Sequence, residues 1–212
     1  MNAIIQQISI LLVPVLMAVT FHELAHGWAA YKLGDPTAKE AGRLTLNPIK
    51  HLDILGTLVF FVTRMIGWAK PVPVNPFNFR NPKRDMAWVA VAGPAMNILL
   101  AAGFTLLLKG LLMIPVSRTS SLVSVLMPLA LMFKAGIIIN VGLAIFNVIP
   151  IPPLDGSKIL EGLLPMEAAL QYARLERYGF LILILLIFTH AVDYFIFPVI
   201  RVLTAFFLAF AL

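Results

Sequence analysis

From Ile4 to Tyr31 the chain runs apolar for long enough to cross a membrane, and inside that run it carries His22-Glu23-Leu24-Ala25-His26. An H-E-x-x-H pattern constrains geometry. On a helix, positions i and i+4 share a face, so His22 and His26 can address one metal ion together. Glu23 projects to one side of the pair and can reach a metal-bound water without being a ligand. Placing ionisable groups in a membrane span costs roughly 2.5–3.5 kcal/mol for each charged residue at the helix centre, and such residues usually mark a functional site. Two partnered core histidines at an accidental spacing would look the same in a soluble helix, but lipid disfavours them.

The rest of the chain repeats the apolar pattern. Met86–Leu108 and about Leu122–Ile149 are long apolar runs, and Phe180–Phe188 and Phe195–Leu212 are two more, with Asp193 between them. Of the 212 residues, 60% are hydrophobic and 12% charged, more apolar surface than a water-soluble domain of this length can bury. The expected fold is an all-α polytopic membrane protein with about five transmembrane helices. No Lys or Arg precedes Lys32 and no small-residue cleavage pattern follows the first run, so that run is expected to stay in the mature protein.

Between the spans, three stretches break the helical pattern. Gly34-Asp35-Pro36 ends the first span. Ile54–Trp68 is apolar but about 15 residues long, short of the roughly 20 that a crossing needs, and is expected to be re-entrant or membrane-associated. Arg43-Leu44-Thr45-Leu46 alternates as a strand does and predicts a small β element beside the histidine helix. Pro128 is expected to break the start of the 122–149 run. Residues Pro150–Tyr178 read as a loop followed by interfacial helices.

With no cysteine in the chain, disulfides, thiol nucleophiles and thiolate ligands are excluded, and a zinc site must be built from His and carboxylate. Asp35, Asp53, Asp155, His51 and His190 are the candidates for a third ligand. Asp155 stands out because Pro150, Pro152 and Pro153 unwind the chain just before it, and irregular backbone at membrane depth is tolerated only where it is buried in protein or lines a wet cavity. Asp155-Gly156 taken alone reads as a turn or helix cap. Glu161, Glu167 and Glu176 lie in a charged, interfacial stretch and suit a ligand role less well. The net charge of +6 is spread over loops without aromatic interleaving, which fits anionic lipid and membrane topology and not nucleic acid.

Three segments together, His22–His26, Gly93-Pro94-Ala95-Met96-Asn97 and Asn147–Gly156, resemble the site-2 protease family of intramembrane zinc metalloproteases. The resemblance covers roughly Thr20 to Gly156, and no PDZ or nucleotide-sensing domain accompanies it. It implies one zinc ion per chain bound by His22, His26 and Asp155, with Glu23 as catalytic base and Asn147 near the scissile peptide. The implied activity is endopeptidase cleavage in or near transmembrane segments of membrane-protein substrates. Leu44, Thr45 and Leu46 are candidates to hold an unwound substrate by backbone pairing. Gly93 and Asn97 suit close helix packing, and Asn97 is also a candidate substrate contact. Two readings from other classes use the same residues, a metal-binding membrane transporter and a proteolytically inactive scaffold for client helices. A transporter needs no general base beside its ligands.

Residues 1–212 are expected to form one integral-membrane domain, with a catalytic core of about 4–156 and interfacial helices plus two apolar segments in 157–212. Lys32, Lys39, Arg43, Lys50, Arg64, Lys70, Arg80, Lys83 and Arg84 fall on one side with Lys158, Arg174 and Arg177, against Lys109 and Arg118 on the other. By the positive-inside rule the N-terminus is expected outside a prokaryotic cell (inner) membrane.

Overall fold

The structure, a computed structural model, describes residues 2–56, 58, 68–115, 117 and 121–211. It is almost wholly helical. In chain order the α-helices whose bounds fall within the described residues are α1 (Asn2–Lys32), α2 (Thr37–Glu40), α3 (Pro82–Leu112), α4 (Val123–Val148), α5 (Asp155–Leu163), α6 (Met166–Ala173), α7 (Gly179–Phe188) and α8 (Ala191–Ala211). Short 3-10 turns lie at Pro48–Lys50, Pro76–Asn78 and Arg174–Tyr178. Four of the described helices are long and apolar enough to cross a membrane: Ile5–Leu33, Pro82–Leu112, Val123–Val148 and Tyr194–Ala211. The expected count of about five is not met among them. Helix α7 has ten residues, about 15 Å of helix against a hydrocarbon core of about 30 Å. Most of the segment expected to be re-entrant, Ile54–Trp68, lies outside the described residues.

Two sequence expectations are corrected. Pro128 does not break the third long run; it sits inside α4, close enough to the N-terminus that the bond it removes falls near the already unpaired first turn. Nor do Arg43–Leu46 form a strand. Their backbone bends back on itself: Thr45 N–H donates to the Arg43 carbonyl, and the Thr45 carbonyl faces His51 Nε2 at 2.8 Å. These local bonds consume groups that an edge strand would present. Among the described residues the nearest thing to a sheet is one antiparallel bridge, Leu52 with Ala69.

The chain divides into two compact units, Met1–Ala18 with Asn97–Phe146 and Ile184–Leu212, and Val19–Met96 with Asn147–Leu183. The first unit has an apolar core of Ala101, Phe104, Leu108, Ile137, Val141 and Ala211. Beside buried Thr105 and Thr204, it holds a buried amide pair. Asn97 Nδ2 donates to Asn140 Oδ1 at 2.9 Å and to the Ala18 carbonyl at 3.2 Å, and Asn140 Nδ2 donates to the Gly136 carbonyl at 2.8 Å. The two bonds from Asn97 run between helices; such bonds contribute about 0.6 kcal/mol each and mainly fix which faces meet.

The second unit carries the motifs. Helix α1 ends in a Schellman motif: Gly34 takes φ +111°, its N–H donates to the Tyr31 carbonyl, and Asp35 N–H donates to the Ala30 carbonyl. Glycine is required there because a Cβ would oppose the left-handed turn. The motif delivers Asp35, fully buried, to the end of the histidine helix. A smaller apolar cluster of Ala30, Phe79 and Val89 packs α1 against α3 in this unit.

Candidate active site

His22 and His26 lie on one face of α1, as their spacing requires, with ring centroids 4.6 Å apart and planes at 89°. Asp155 reaches them from a different part of the chain. After α4 ends, Pro150, Pro152 and Pro153 withhold backbone donors. The few bonds that remain, Ile151 N–H to the Ile149 carbonyl and Leu154 N–H to the Ile151 carbonyl, make tight turns and not helix. Asp155 then opens α5. Gly156 follows it where any Cβ would collide with the carbonyls of Val148 and Ile149.

The three side chains converge. His22 Nε2 and His26 Nε2 are 3.0 Å apart, and Asp155 Oδ2 lies 3.2 Å from the first and 3.3 Å from the second. Tetrahedral zinc with ligand bonds of about 2.0–2.1 Å requires ligand atoms roughly 3.3 Å apart, so this triangle has the right size. Its hydrogen bonding points the same way. His26 Nδ1 donates to the Val89 carbonyl at 2.7 Å, which in the neutral imidazole leaves a bare lone pair on Nε2 facing a carboxylate oxygen. Asp155 Oδ2 is buried and makes no hydrogen bond among the described residues. Acceptors crowded together in a buried place are costly unless a cation lies between them. The donor set, two imidazoles and one carboxylate, is one that zinc accepts in catalytic sites.

Gly93 of α3 closes the floor. A Cβ there would lie 2.6 Å from His22 Cε1 and closer still to the His26 ring. The small residue anticipated for helix packing is thus small because both imidazoles rest on it.

Glu23 stands outside the triangle. Its Oε2 accepts a hydrogen bond from the Val72 N–H at 2.9 Å. Val72 lies between Pro71 and Pro73, so its N–H is the one backbone donor in that tripeptide. The Val72 side chain and Leu44 both press on α1 at Gly27, one turn beyond Glu23, where an added Cβ would meet Leu44 Cδ2 at 2.8 Å and Val72 Cγ1 at 3.0 Å.

The other candidate ligands are occupied elsewhere. Asp53 Oδ1 accepts from the Gly56 N–H at 2.8 Å, and His51 is fully buried with Nε2 on the Thr45 carbonyl. His190 sits at φ +56° between α7 and α8. Asp35 accepts from Thr37, Asn75 and Asn78. Burial works against its ionisation, but those hydrogen bonds outweigh it and hold the carboxyl below the usual carboxylate range. Glu161 and Glu176 both pair with Lys158 Nζ at 3.2 Å, and Glu167 is exposed. Among the described residues His22, His26 and Asp155 are the one group that could hold a metal ion.

Of the candidate substrate contacts, Asn147 is half-buried in the last turn of α4, Thr45 is half-buried, and Leu46 is exposed. Asn97 is fully buried with its amide committed to the pair described above. Two features of the site were not anticipated. The Val89 carbonyl behind His26 has no side-chain signature. The Val72 N–H did have a signal, an isolated donor between two prolines.

The profile of peptidase family M50 matches residues 10–190. The chain belongs to peptidase family M50. This is the family of site-2 proteases, as the three motifs implied, and its members are metalloendopeptidases. The chain is 40% identical over 196 residues to the protein of Bacillus subtilis (strain 168) named "Putative zinc metalloprotease YwhC", covering 90% of this chain and 85% of that one. It is 30% identical over 185 residues to "Putative zinc metalloprotease Rip2" of Mycolicibacterium smegmatis, covering 84% of this chain and 66% of that one. The protein of the same name from Mycobacterium tuberculosis is 26% identical over 180 residues, covering 81% of this chain and 63% of that one. No solved structure matches the chain. With its apolar helices, this M50 chain is a multi-pass membrane protein.

Proposed function

We propose that the chain is a zinc-dependent intramembrane endopeptidase that cuts membrane-protein substrates in or near a transmembrane segment. The observation that carries this reading is the convergence of His22 Nε2, His26 Nε2 and Asp155 Oδ2 beside a carboxylate, Glu23, that is held apart from them. One zinc ion per chain would be bound by His22, His26 and Asp155. When bound, zinc supplies a water of lowered pKa and polarises the scissile carbonyl. Glu23 takes a proton from the attacking water and passes it to the leaving amine. The Val72 N–H orients the Glu23 carboxylate for both transfers. His26 is kept in its metal-binding tautomer by the Val89 carbonyl.

A peptide bond inside a transmembrane helix is shielded and hydrogen-bonded, so the substrate must unwind before attack, and its freed backbone groups then need partners. Asn147 is the side-chain candidate. Leu44, Thr45 and Leu46 border the same stretch of α1 through the Leu44 contact at Gly27, and they would act as a wall for the substrate and not as a strand edge. Residues 1–212 act together as one membrane domain.

Reconstituted in lipid vesicles with a single-span reporter protein, the chain is expected to cut the reporter. A chelator should abolish cleavage and added zinc restore it. Cleavage that persists at full rate in chelator rules out the metalloprotease reading.

The distribution of Lys and Arg puts the N-terminus outside and the site nearer the cytoplasmic face. Cysteines introduced singly at Lys50 and Lys83 are expected to react with an impermeant maleimide from the same, inner side. Labelling from opposite sides would overturn this arrangement.

A further inference from the structure

The base is only as well placed as the segment that holds it. Glu23 takes its hydrogen bond from Val72, in an extended stretch with prolines on either side and no helix or strand of its own. Something else must keep that stretch in place. At its upstream end, Lys70 N–H donates to the His51 carbonyl at 2.9 Å and the Lys70 carbonyl accepts from the Arg43 guanidinium at 2.7 Å. Downstream, the attachment is Asp35. Its Oδ2 accepts from the Asn75 N–H at 2.8 Å, and its Oδ1 accepts from Asn78 Nδ2 at 2.7 Å and from the Thr37 N–H at 3.1 Å; the Thr37 hydroxyl donates to the same oxygen. Asn75 in turn caps the 3-10 turn at Pro76–Asn78 by accepting from the Phe77 N–H at 3.2 Å.

A fully buried carboxylate with four donors on it is a rigid joint. Its placement is what gives it meaning. Asp35 is fixed just past the end of α1 by the Schellman motif, and Glu23 lies further back on that helix. One end of the joint is therefore the helix that bears the base, and the other is the segment that orients the base. Only Pro73 and Val74 separate Val72 from Asn75, and Pro73 restricts the path between them, so displacement at Asn75 is passed to Val72 with little slack.

We propose that Asp35 is a positioning residue for the general base: it locks the Pro71–Asn78 segment to the end of the histidine helix and so holds the Val72 N–H against Glu23. This rests on the proteolytic reading above and adds a residue to it that touches neither the metal ligands nor the reacting atoms. Asp35→Asn keeps the size of the side chain but turns one acceptor into a donor facing other donors. It should loosen the segment and leave the ligand triangle intact.

The experiment uses the full chain in lipid nanodiscs, zinc-loaded, with a synthetic alanine–leucine transmembrane peptide carrying a central Asn-Gly break as the probe. Two quantities are read. The first is hydrogen exchange at the Val72 amide, resolved by selective ¹⁵N-valine labelling. Asp35→Asn is expected to speed it at least ~10-fold, because a local opening replaces a held bond. The second is the split between kcat and KM. A drop in kcat of about 10-fold or more is expected, with KM and zinc content within about twofold of the parent. In a Glu23→Gln background the same change should cost no further activity, since it acts through Glu23.

Unchanged exchange at Val72 overturns the proposal, as does a kcat within twofold of the parent, or an undiminished loss in the Glu23→Gln background. If Asp35→Asn does not fold, Asn78→Ala decides instead. It removes one donor from an exposed position and should move both readouts the same way by a smaller factor; no movement overturns the proposal. Failure of the parent chain to cut the peptide is a different result. It removes the proteolytic reading, and the claim of catalytic positioning with it, while the exchange data still report on the joint itself.

Discussion

Glu23→Gln should bind zinc as the parent does and yet turn over substrate about 10²–10⁴-fold more slowly, the range that general acid–base catalysis contributes. The reasoning is geometric. The amide is nearly isosteric with the carboxylate, and its oxygen can still accept the Val72 N–H that Oε2 accepts at 2.9 Å. What it loses is the capacity to take a proton. Because Glu23 lies outside the triangle of His22, His26 and Asp155, zinc content should hold at the parent level. Kinetics on a single-span reporter, with metal analysis of the same preparation, check both halves. Near-parental turnover removes Glu23 from the chemistry. Loss of zinc would move it into the ligand set and leave the base unidentified.

Asp155→Ala is expected to act on the other half of the site. The parent should carry about one equivalent of zinc. Removing partners that merely orient a ligand costs 10–100-fold in metal affinity, so removing a ligand itself should cost at least ~100-fold. The variant should purify largely metal-free, with cleavage lost in proportion, and high zinc should restore little, since two imidazoles alone leave the site with too few ligands. Full zinc occupancy in Asp155→Ala excludes this carboxylate from the site and returns the search for a third ligand to the beginning. The two variants together separate metal binding from proton transfer, which no single substitution does.

What could be read from the sequence follows how far each residue's effect reaches along the chain. His22 and His26 were legible because helical periodicity alone brings i and i+4 together. Asp155 was legible for a subtler reason: three prolines forbid helix at membrane depth, and a carboxylate there must have an answer in the fold. The long spans were legible from length and apolarity. Arg43–Leu46 misled because alternation describes side chains, whereas what prevents a strand here is backbone bonding by Thr45 and His51, which no hydropathy pattern encodes. Pro128 misled because the cost of a helical proline depends on its distance from the first turn. Gly93 was placed in the right class, a small residue at a close approach, but for an unforeseen neighbour. Asp35 was weighed as a ligand, and apart from neighbouring Thr37 its partners, Asn75 and Asn78, are about 40 residues away. Nothing local in the sequence announces that meeting.

The position of Asp155 also has a bearing on the order of events as the chain is made. Two of the proposed ligands lie in the first helix, while the third opens α5, about 130 residues later. On that ligand set a nascent chain carries its histidines and its base from the outset, but no complete metal centre until α1, α3, α4 and the start of α5 have all emerged. The enzyme is thus assembled with its blade unfinished. On the same ligand set it could not cut its neighbours in the crowded site of membrane insertion, and a metal bound there would tie the first helix to the α5 segment. A ligand clip across so long a loop removes more freedom from an unfolded chain than one between adjacent helices would, by about 0.6 kcal/mol for each doubling of the loop. On that ligand set the chain is armed once α5 begins, with α6, α7 and α8 still to follow.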